Sequence, residues 1–164
     1  GLSEWTTPMD DARVTQSRST FSLRCRVEIH VKATPDEVWD LLVEAPEYHR
    51  WNSTVTRIDG QIREGERLTL HVPGTDRSFR PRVSDLIPNE RMTWTGGLAP
   101  VFKGARTFLL RAGPDCTTDF IMEERFTGIL LPLVGRSMPD FRPIFERFAQ
   151  DLKRAAEQPV EAGG

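Results

Sequence analysis

Between residues 21 and 31 every second residue is apolar. Phe21, Leu23, Cys25, Val27, Ile29 and Val31 alternate with Ser22, Arg24, Arg26, Glu28 and His30. A period of two sustained over this length predicts a strand with one dry and one wet face. Thr34-Pro35-Asp36-Glu37 then reads as a helix start, with a capping hydroxyl, a proline at the first helical position and an acid three residues after the cap. Val38, Leu41 and Leu42 form the apolar side of that helix, and Ala45-Pro46-Glu47 restarts a second short one through Trp51. From 52 to 128 the chain reads as a meander, with strands expected near 53–59, 66–72, 77–87, 90–96, 102–111 and 116–127. Asp59-Gly60, Glu64-Gly65, Pro73-Gly74, Pro88-Asn89, Gly96-Gly97 and Gly113-Pro114-Asp115 supply the turns between them. Close sequential spacing favours antiparallel neighbours. Near Pro139-Asp140 the period changes. Phe141, Ile144, Phe145, Phe148, Leu152 and Ala155 fall on one stripe, while Arg142, Glu146, Arg147, Asp151 and Arg154 fall elsewhere. This predicts an amphipathic helix of roughly four to five turns.

The expected fold class is therefore α+β: a seven-stranded curved antiparallel sheet wrapped around a long C-terminal helix, with two short helices after the first strand. Three parts are expected: a mobile N-terminal arm over 1–19, which Trp5 can tack onto the domain, one domain over 20–158 and a loose tail over 159–164. Lys plus Arg number 22 against 24 Asp plus Glu, a net charge of −2 that lacks the basic excess a nucleic-acid footprint needs. No apolar run approaches the roughly 18 to 20 residues that span a bilayer, so stable membrane insertion is not expected. The first residues carry Glu4, Asp10 and Asp11 around no apolar centre and do not read as a secretory signal. The two cysteines, Cys25 and Cys116, are far apart in sequence and both fit dry strand positions, so the default location is a reducing cytoplasm.

Several strings carry a resemblance. Ala33-Thr34-Pro35-Asp36-Glu37-Val38-Trp39 is followed by Tyr48-His49-Arg50-Trp51-Asn52, then by Pro88, Met92, Trp94 and Gly96, by Gly104, Phe108 and Leu110, and by Glu124-Arg125-Phe126-Thr127-Gly128. In this order, and over about 18–158, the chain resembles the START-like superfamily of polyketide cyclase/dehydrase-like and lipid-transfer proteins, the helix-grip fold, in its small bacterial cyclase-like branch. The resemblance implies a ligand cavity between sheet and helix. It does not choose a reaction, because that superfamily hosts carriers and enzymes alike, and function is argued from the site.

Strand parity supplies the expected lining. Phe79, Met92, Trp94, Phe108, Phe120 and Met122 face inward, Phe145 meets them from the helix, and Trp51 and Asn52 stand near the mouth of the sheet. Arg106 and Glu124 share this apolar face and are neighbours across the hairpin around Gly113-Pro114. Arg106 stands where many members of the superfamily carry histidine, and a permanently charged guanidinium is no proton shuttle. Glu124 is thus the one candidate catalytic group, and ion pairing to arginine makes a carboxylate a poor proton acceptor at neutral pH. His30, His49 and His71 lie on different elements without ligand spacing, so neither a metal nor another cofactor is expected. There is no Gly-x-Ser-x-Gly elbow and no phosphate-cradling loop. The run from Gly128 to Gly135 packs under the long helix or forms a lid.

Three functions fit these residues. The first is binding of a small hydrophobic molecule (a lipid, polyketide or aromatic metabolite). The second is a cofactor-free cyclase or dehydratase acting in the same cavity. The third is an interaction module that docks a partner through the apolar patch at 129–134. The sequence leaves the choice between carrier and enzyme open, and also the oligomeric state.

Overall fold

The computed structural model describes residues 12–158. Nine strands form two sheets. The larger sheet has six strands in the order β1-β2-β9-β8-β7-β6: β1 (Arg13–Ser19), β2 (Ser22–Val31), β6 (Arg82–Ile87), β7 (Arg91–Leu98), β8 (Phe102–Ala112) and β9 (Thr118–Thr127). All its pairings are antiparallel. A small sheet joins β3 (Arg57–Asp59), β4 (Thr69–His71) and β5 (Ser78–Phe79). The helices are α1 (Pro35–Val43), α2 (Tyr48–Trp51), which follows a single turn over Ala45–Glu47, α3 (Leu131–Val134) and α4 (Arg142–Glu157). The α+β helix-grip architecture is therefore present, with more strands than the seven expected.

The differences have local causes. The expected arm over 1–19 is too long, because Arg13–Ser19 pair with Glu28–Ser22 as an edge strand. Val14 and Gln16 point inward there, a period too short and too polar to read in sequence. Trp5 and the tail after Gln158 lie outside the described residues. The expected strand over 77–87 breaks between Phe79 and Arg82, where Pro81 has no N–H to give a ladder. That break puts β5 into the small sheet and leaves Phe79 53% exposed, so the inward reading of Phe79 is wrong. Gly96-Gly97 lies inside β7 rather than at its end, and the connection to β8 runs through the cis peptide Ala99-Pro100. Cys116 is exposed just before β9, not on a dry strand position. The run after Gly128 folds partly into α3, with Leu131 buried.

The ends of the helices follow their sequences. Thr34 Oγ1 accepts from Glu37 N while Thr34 N donates to Glu37 Oε1, closing the expected capping box of α1. At α4, Asp140 Oδ1 accepts from Arg142 N at 3.0 Å and also meets the Arg142 guanidinium, which holds its carboxyl below the usual range. Asp151, expected on the wet side of α4, is buried instead and accepts from Ser53 N and Oγ, both at 2.8 Å, tying the end of α2 to the helix.

The core lies between the six-stranded sheet and α4. Phe145, Phe148, Ala149 and Leu152 are fully buried. The Phe148 ring stands 6.1 Å from Phe120, 6.0 Å from Phe108 and 5.8 Å from Trp51. One ring thereby joins the helix to β8, β9 and α2. Phe148→Ala should cost about 3–5 kcal/mol, lowering the melting temperature by on the order of 10 °C. Arg147→Ala, beside it on the exposed side, should cost less than about 0.5 kcal/mol. Thermal melts of the two variants check both values, and equally mild effects would mean that α4 does not hold the sheet.

Candidate functional site

One line of side chains crosses the concave face of the sheet. The register pairs Gln16 with Cys25, Cys25 with Glu124, Glu124 with Arg106, Arg106 with Trp94 and Trp94 with Val83. The next line along the strands, Val27, Met122, Phe108 and Met92, is apolar and fully buried. Strand parity alone puts these residues on one face. The polar line needs the strand order as well.

Arg106 and Glu124 form an ion pair within it. Arg106 Nε and Nη2 both meet Glu124 Oε1 at 2.8 Å, and the two side chains are only 18% and 16% exposed. The guanidinium carbon lies 5.1 Å from the Phe145 ring centroid and 6.0 Å from that of Phe148, so α4 covers it with aromatic faces. Glu124 Oε2 has no hydrogen-bond partner among the described residues. It lies 3.5 Å from where a Cβ on Gly104 would stand, and the same Cβ would come within 3.1 Å of the Phe126 ring. Glycine at 104 therefore lets Phe126 lie close on β8. From there Phe126 stacks with Phe102 at 5.8 Å and with Phe141 at 5.1 Å, closing that side of the site.

On the other side stands an aromatic group built from α2 and β7. Tyr48 lies 4.8 Å from Trp51 and 6.5 Å from Trp94, and Trp94 lies 4.7 Å from Phe108. Tyr48 donates to Leu42 O at 2.7 Å, and burial pushes its phenol far above the ordinary value despite the nearby Arg106 charge. Three donors here are buried without a hydrogen-bond partner among the described residues: Trp51 Nε1, Trp94 Nε1 and Asn52 Nδ2. At the far end of the polar line Gln16 Oε1 is an acceptor in the same condition. The oxygen of Asn52 is fully used, accepting from Thr54 N at 2.8 Å, Thr54 Oγ1 at 2.7 Å and Val55 N at 3.2 Å. Asn52 thus shapes the turn after α2 and only its amide nitrogen remains.

The remaining candidates are now placed. Met92, Trp94, Phe108, Phe120, Met122 and Phe145 lie buried together between sheet and helix, Trp51 joins them half-buried, and Phe79 does not. Sequence reading names Tyr48 only within the string that carries the resemblance and passes over Gln16, the first inside a helix too short for a period and the second in the presumed arm. Cys25 was assigned to the dry face without its neighbours. Burial first, then the Asp140 and Glu124 charges, push its thiol up to about 11. The histidines are engaged elsewhere: His30 Nδ1 meets Asp119 at 2.8 Å, His71 Nε2 meets Asp59 at 2.9 Å and His49 Nδ1 meets Pro46 O at 2.9 Å.

Comparison with known proteins fits this architecture. Residues 22–157 match the family model described as polyketide cyclase / dehydrase and lipid transport. The chain belongs to that family. Its fold recurs in a conserved protein of unknown function from Enterococcus faecalis, 15% identical, with a TM-score of 0.66 over 91% of this chain and 80% of that one. A START superfamily protein from Mycobacterium smegmatis is 16% identical, with a TM-score of 0.58 over 82% of this chain and 97% of that one. DynU16, a protein in the dynemicin biosynthetic locus, is 19% identical, with a TM-score of 0.63 over 80% of this chain and 46% of that one. No curated protein matches the chain. The family description names both chemistry and transport, so membership supports a hydrophobic-ligand or cyclase role without choosing between them.

Two outcomes test the site itself. Arg106→Leu strands the Glu124 carboxylate and should cost about 3 kcal/mol, whereas adding Glu124→Leu should restore most of that loss. A double-mutant cycle by denaturant unfolding measures the coupling, and additive losses would show that the pair contributes nothing as a pair. A thiol at about 11 rather than 9.0 holds about a hundredfold less thiolate at pH 8. Ellman's reagent should therefore titrate one thiol of the native protein, Cys116, and a second only on unfolding.

Proposed function

We propose that the protein binds a small, largely apolar molecule between the six-stranded sheet and α4, and that it holds this molecule rather than transforming it. The observation that carries this reading is the Arg106–Glu124 pair set under the Phe145 ring of α4, with Trp94, whose buried indole N–H lacks an acceptor among the described residues, opposite Arg106 in the register. A buried donor left unpaired costs about 1–3 kcal/mol, and here Trp51, Trp94 and Asn52 each contribute one. A ligand presenting an acceptor oxygen to Trp94 Nε1 relieves that cost there while its apolar body meets Phe108, Met92 and Phe145. The charge balance bears on the ligand as well. Arg106 and Glu124 neutralise each other, so an anionic ligand would bring an uncompensated charge into a low-dielectric interior. A neutral oxygen-bearing ligand fits best.

The alternative is a cofactor-free cyclase or dehydratase in the same space, working by confinement of a reactive chain and exclusion of water. Glu124 is its candidate base, and the free Oε2 is the feature that favours it. Against it stand Arg106, whose guanidinium occupies Glu124 Oε1 through both Nε and Nη2, and the protonated Cys25, which offers no nucleophile.

Native mass spectrometry of protein purified from its own host should show a copurified neutral small molecule. Titration of that molecule into stripped protein should quench tryptophan fluorescence, and Trp94→Phe should weaken binding about three- to tenfold, the value of one neutral hydrogen bond. Glu124→Gln separates carrier from enzyme. Loss of turnover with affinity intact would make Glu124 a catalytic base, whereas altered affinity with no turnover in either form supports the carrier.

A further inference from the structure

Among the described residues, six of the seven exposed large apolar side chains gather at one end of the molecule, and the seventh, Phe79, lies in the small sheet. Phe21 lies in the β1–β2 turn, Leu98 at the end of β7, Val101 in the β7–β8 connection, and Ile129, Leu130 and Leu133 between β9 and the end of α3. Leu133 is 74%, Leu98 70% and Ile129 61% exposed, so these side chains project outward rather than line a groove. Backbone hydrogen bonds lace the three connections into one surface: Gly128 N donates to Phe21 O, Ile129 N to Pro100 O and Leu130 N to Val101 O. Within α3, Val134 N and Gly135 N donate back to Leu130 O and Leu131 O, and Pro100 and Pro132 have no N–H to satisfy. Such a surface enters a nonpolar layer without stranding many peptide groups, the main penalty of placing irregular backbone there.

Charge at this end departs from the rest of the chain. Segments 18–22, 97–103 and 127–138 contain Arg18, Lys103 and Arg136 and not one Asp or Glu, in a chain whose overall charge is −2. None of the three cations has a carboxylate partner among the described residues, and Arg18 donates only to Gly135 O. Six projecting apolar side chains flanked by unpaired cations and no acid are complementary to one kind of partner, an anionic lipid surface. We propose that this end docks on the headgroup layer of such a membrane, with Phe21, Leu98, Ile129 and Leu133 inserted and Arg18, Lys103 and Arg136 among the headgroups. No helix among the described residues is long and apolar enough to cross a membrane, so the contact is peripheral. An apolar patch alone gives marginal binding, and the cations supply the second signal.

Sedimentation of the full chain with phosphatidylcholine vesicles, with and without phosphatidylglycerol, tests this. Binding should occur on the vesicles containing phosphatidylglycerol and weaken as salt is raised. Ile129→Ser with Leu133→Ser should lower the partition coefficient about tenfold or more, since binding scales with inserted apolar area. Lys103→Gln with Arg136→Gln should lower it about thirtyfold, from roughly 1 kcal/mol for each of two charges at the membrane surface. Ile129, Leu133 and Arg136 are exposed and Lys103 is half-buried, so melting curves of the variants are compared with that of the parent; Leu133→Ser alone, at the most exposed position, serves if the double serine variant melts early, and Arg136→Gln alone if the double glutamine variant does. Failure to bind the anionic vesicles, or full binding by the serine variants, would overturn the proposal. So would a dimer in sedimentation equilibrium that the serine variants dissociate, because the patch would then belong to a second copy of the chain.

Discussion

The seating of Phe145 and Phe148 of α4 on the concave face of the sheet holds the other features in place. Phe148 meets rings from β8, β9 and α2 at about 6 Å, so it fixes how far the helix stands from the strands and how α2 leans on both. Asp151, one turn further on, fastens the chain after α2 through Ser53, and Lys153 reaches the carbonyl of His30 at the end of β2. Without this contact the inner side of a six-stranded sheet would face water, and the Arg106–Glu124 pair would become an ordinary surface salt bridge of little value. The helix turns a polar line on a sheet into an interior site.

That interior is unusual in what it leaves unsettled. Its charges cancel, yet its indole and amide donors lack acceptors among the described residues. A core selected only for stability would pair such groups or replace them with apolar ones, since unpaired donors weaken the fold. The same surroundings suppress chemistry: the thiol of Cys25 stays protonated, and the phenol of Tyr48 is held by Leu42 O.

The projecting apolar end and the polar line are connected through the strands. The Leu98–Phe102 pair lies four residues along β7 and β8 from the Trp94–Arg106 pair, about 13 Å at the rise of an extended strand. Between them stands the stack of Phe102, Phe126 and Phe141. A molecule passing from a surface docked at that end to the interior would meet these rings first. Gly104 sets how closely the stack can lie on the strand beneath.

How much of this was legible in the sequence depends on the range of the interaction involved. Alternation in 21–31 and in the two strands around Gly113 assigned the faces of β2, β8 and β9, including the inward placement of Arg106 and Glu124, because side-chain direction in a strand is a local property of the backbone. The stripe of α4 and the capping box of α1 were readable for the same reason. Phe79 was misplaced because Pro81 ends one ladder and begins another, and parity carries no information across such a break. Strand β1 was missed because an edge strand is stabilised by its partner rather than by its own pattern, and Asp151 because its burial depends on Ser53, far away in sequence. Sequence alone determined the elements, their faces and the family resemblance. Only the tertiary structure decided which strands lie side by side. That order joins Gln16, Cys25, Glu124, Arg106 and Trp94 into one line, and it gathers Phe21, Leu98 and Leu133 at one end, since neighbours across strands are set by long-range pairing that no local period encodes.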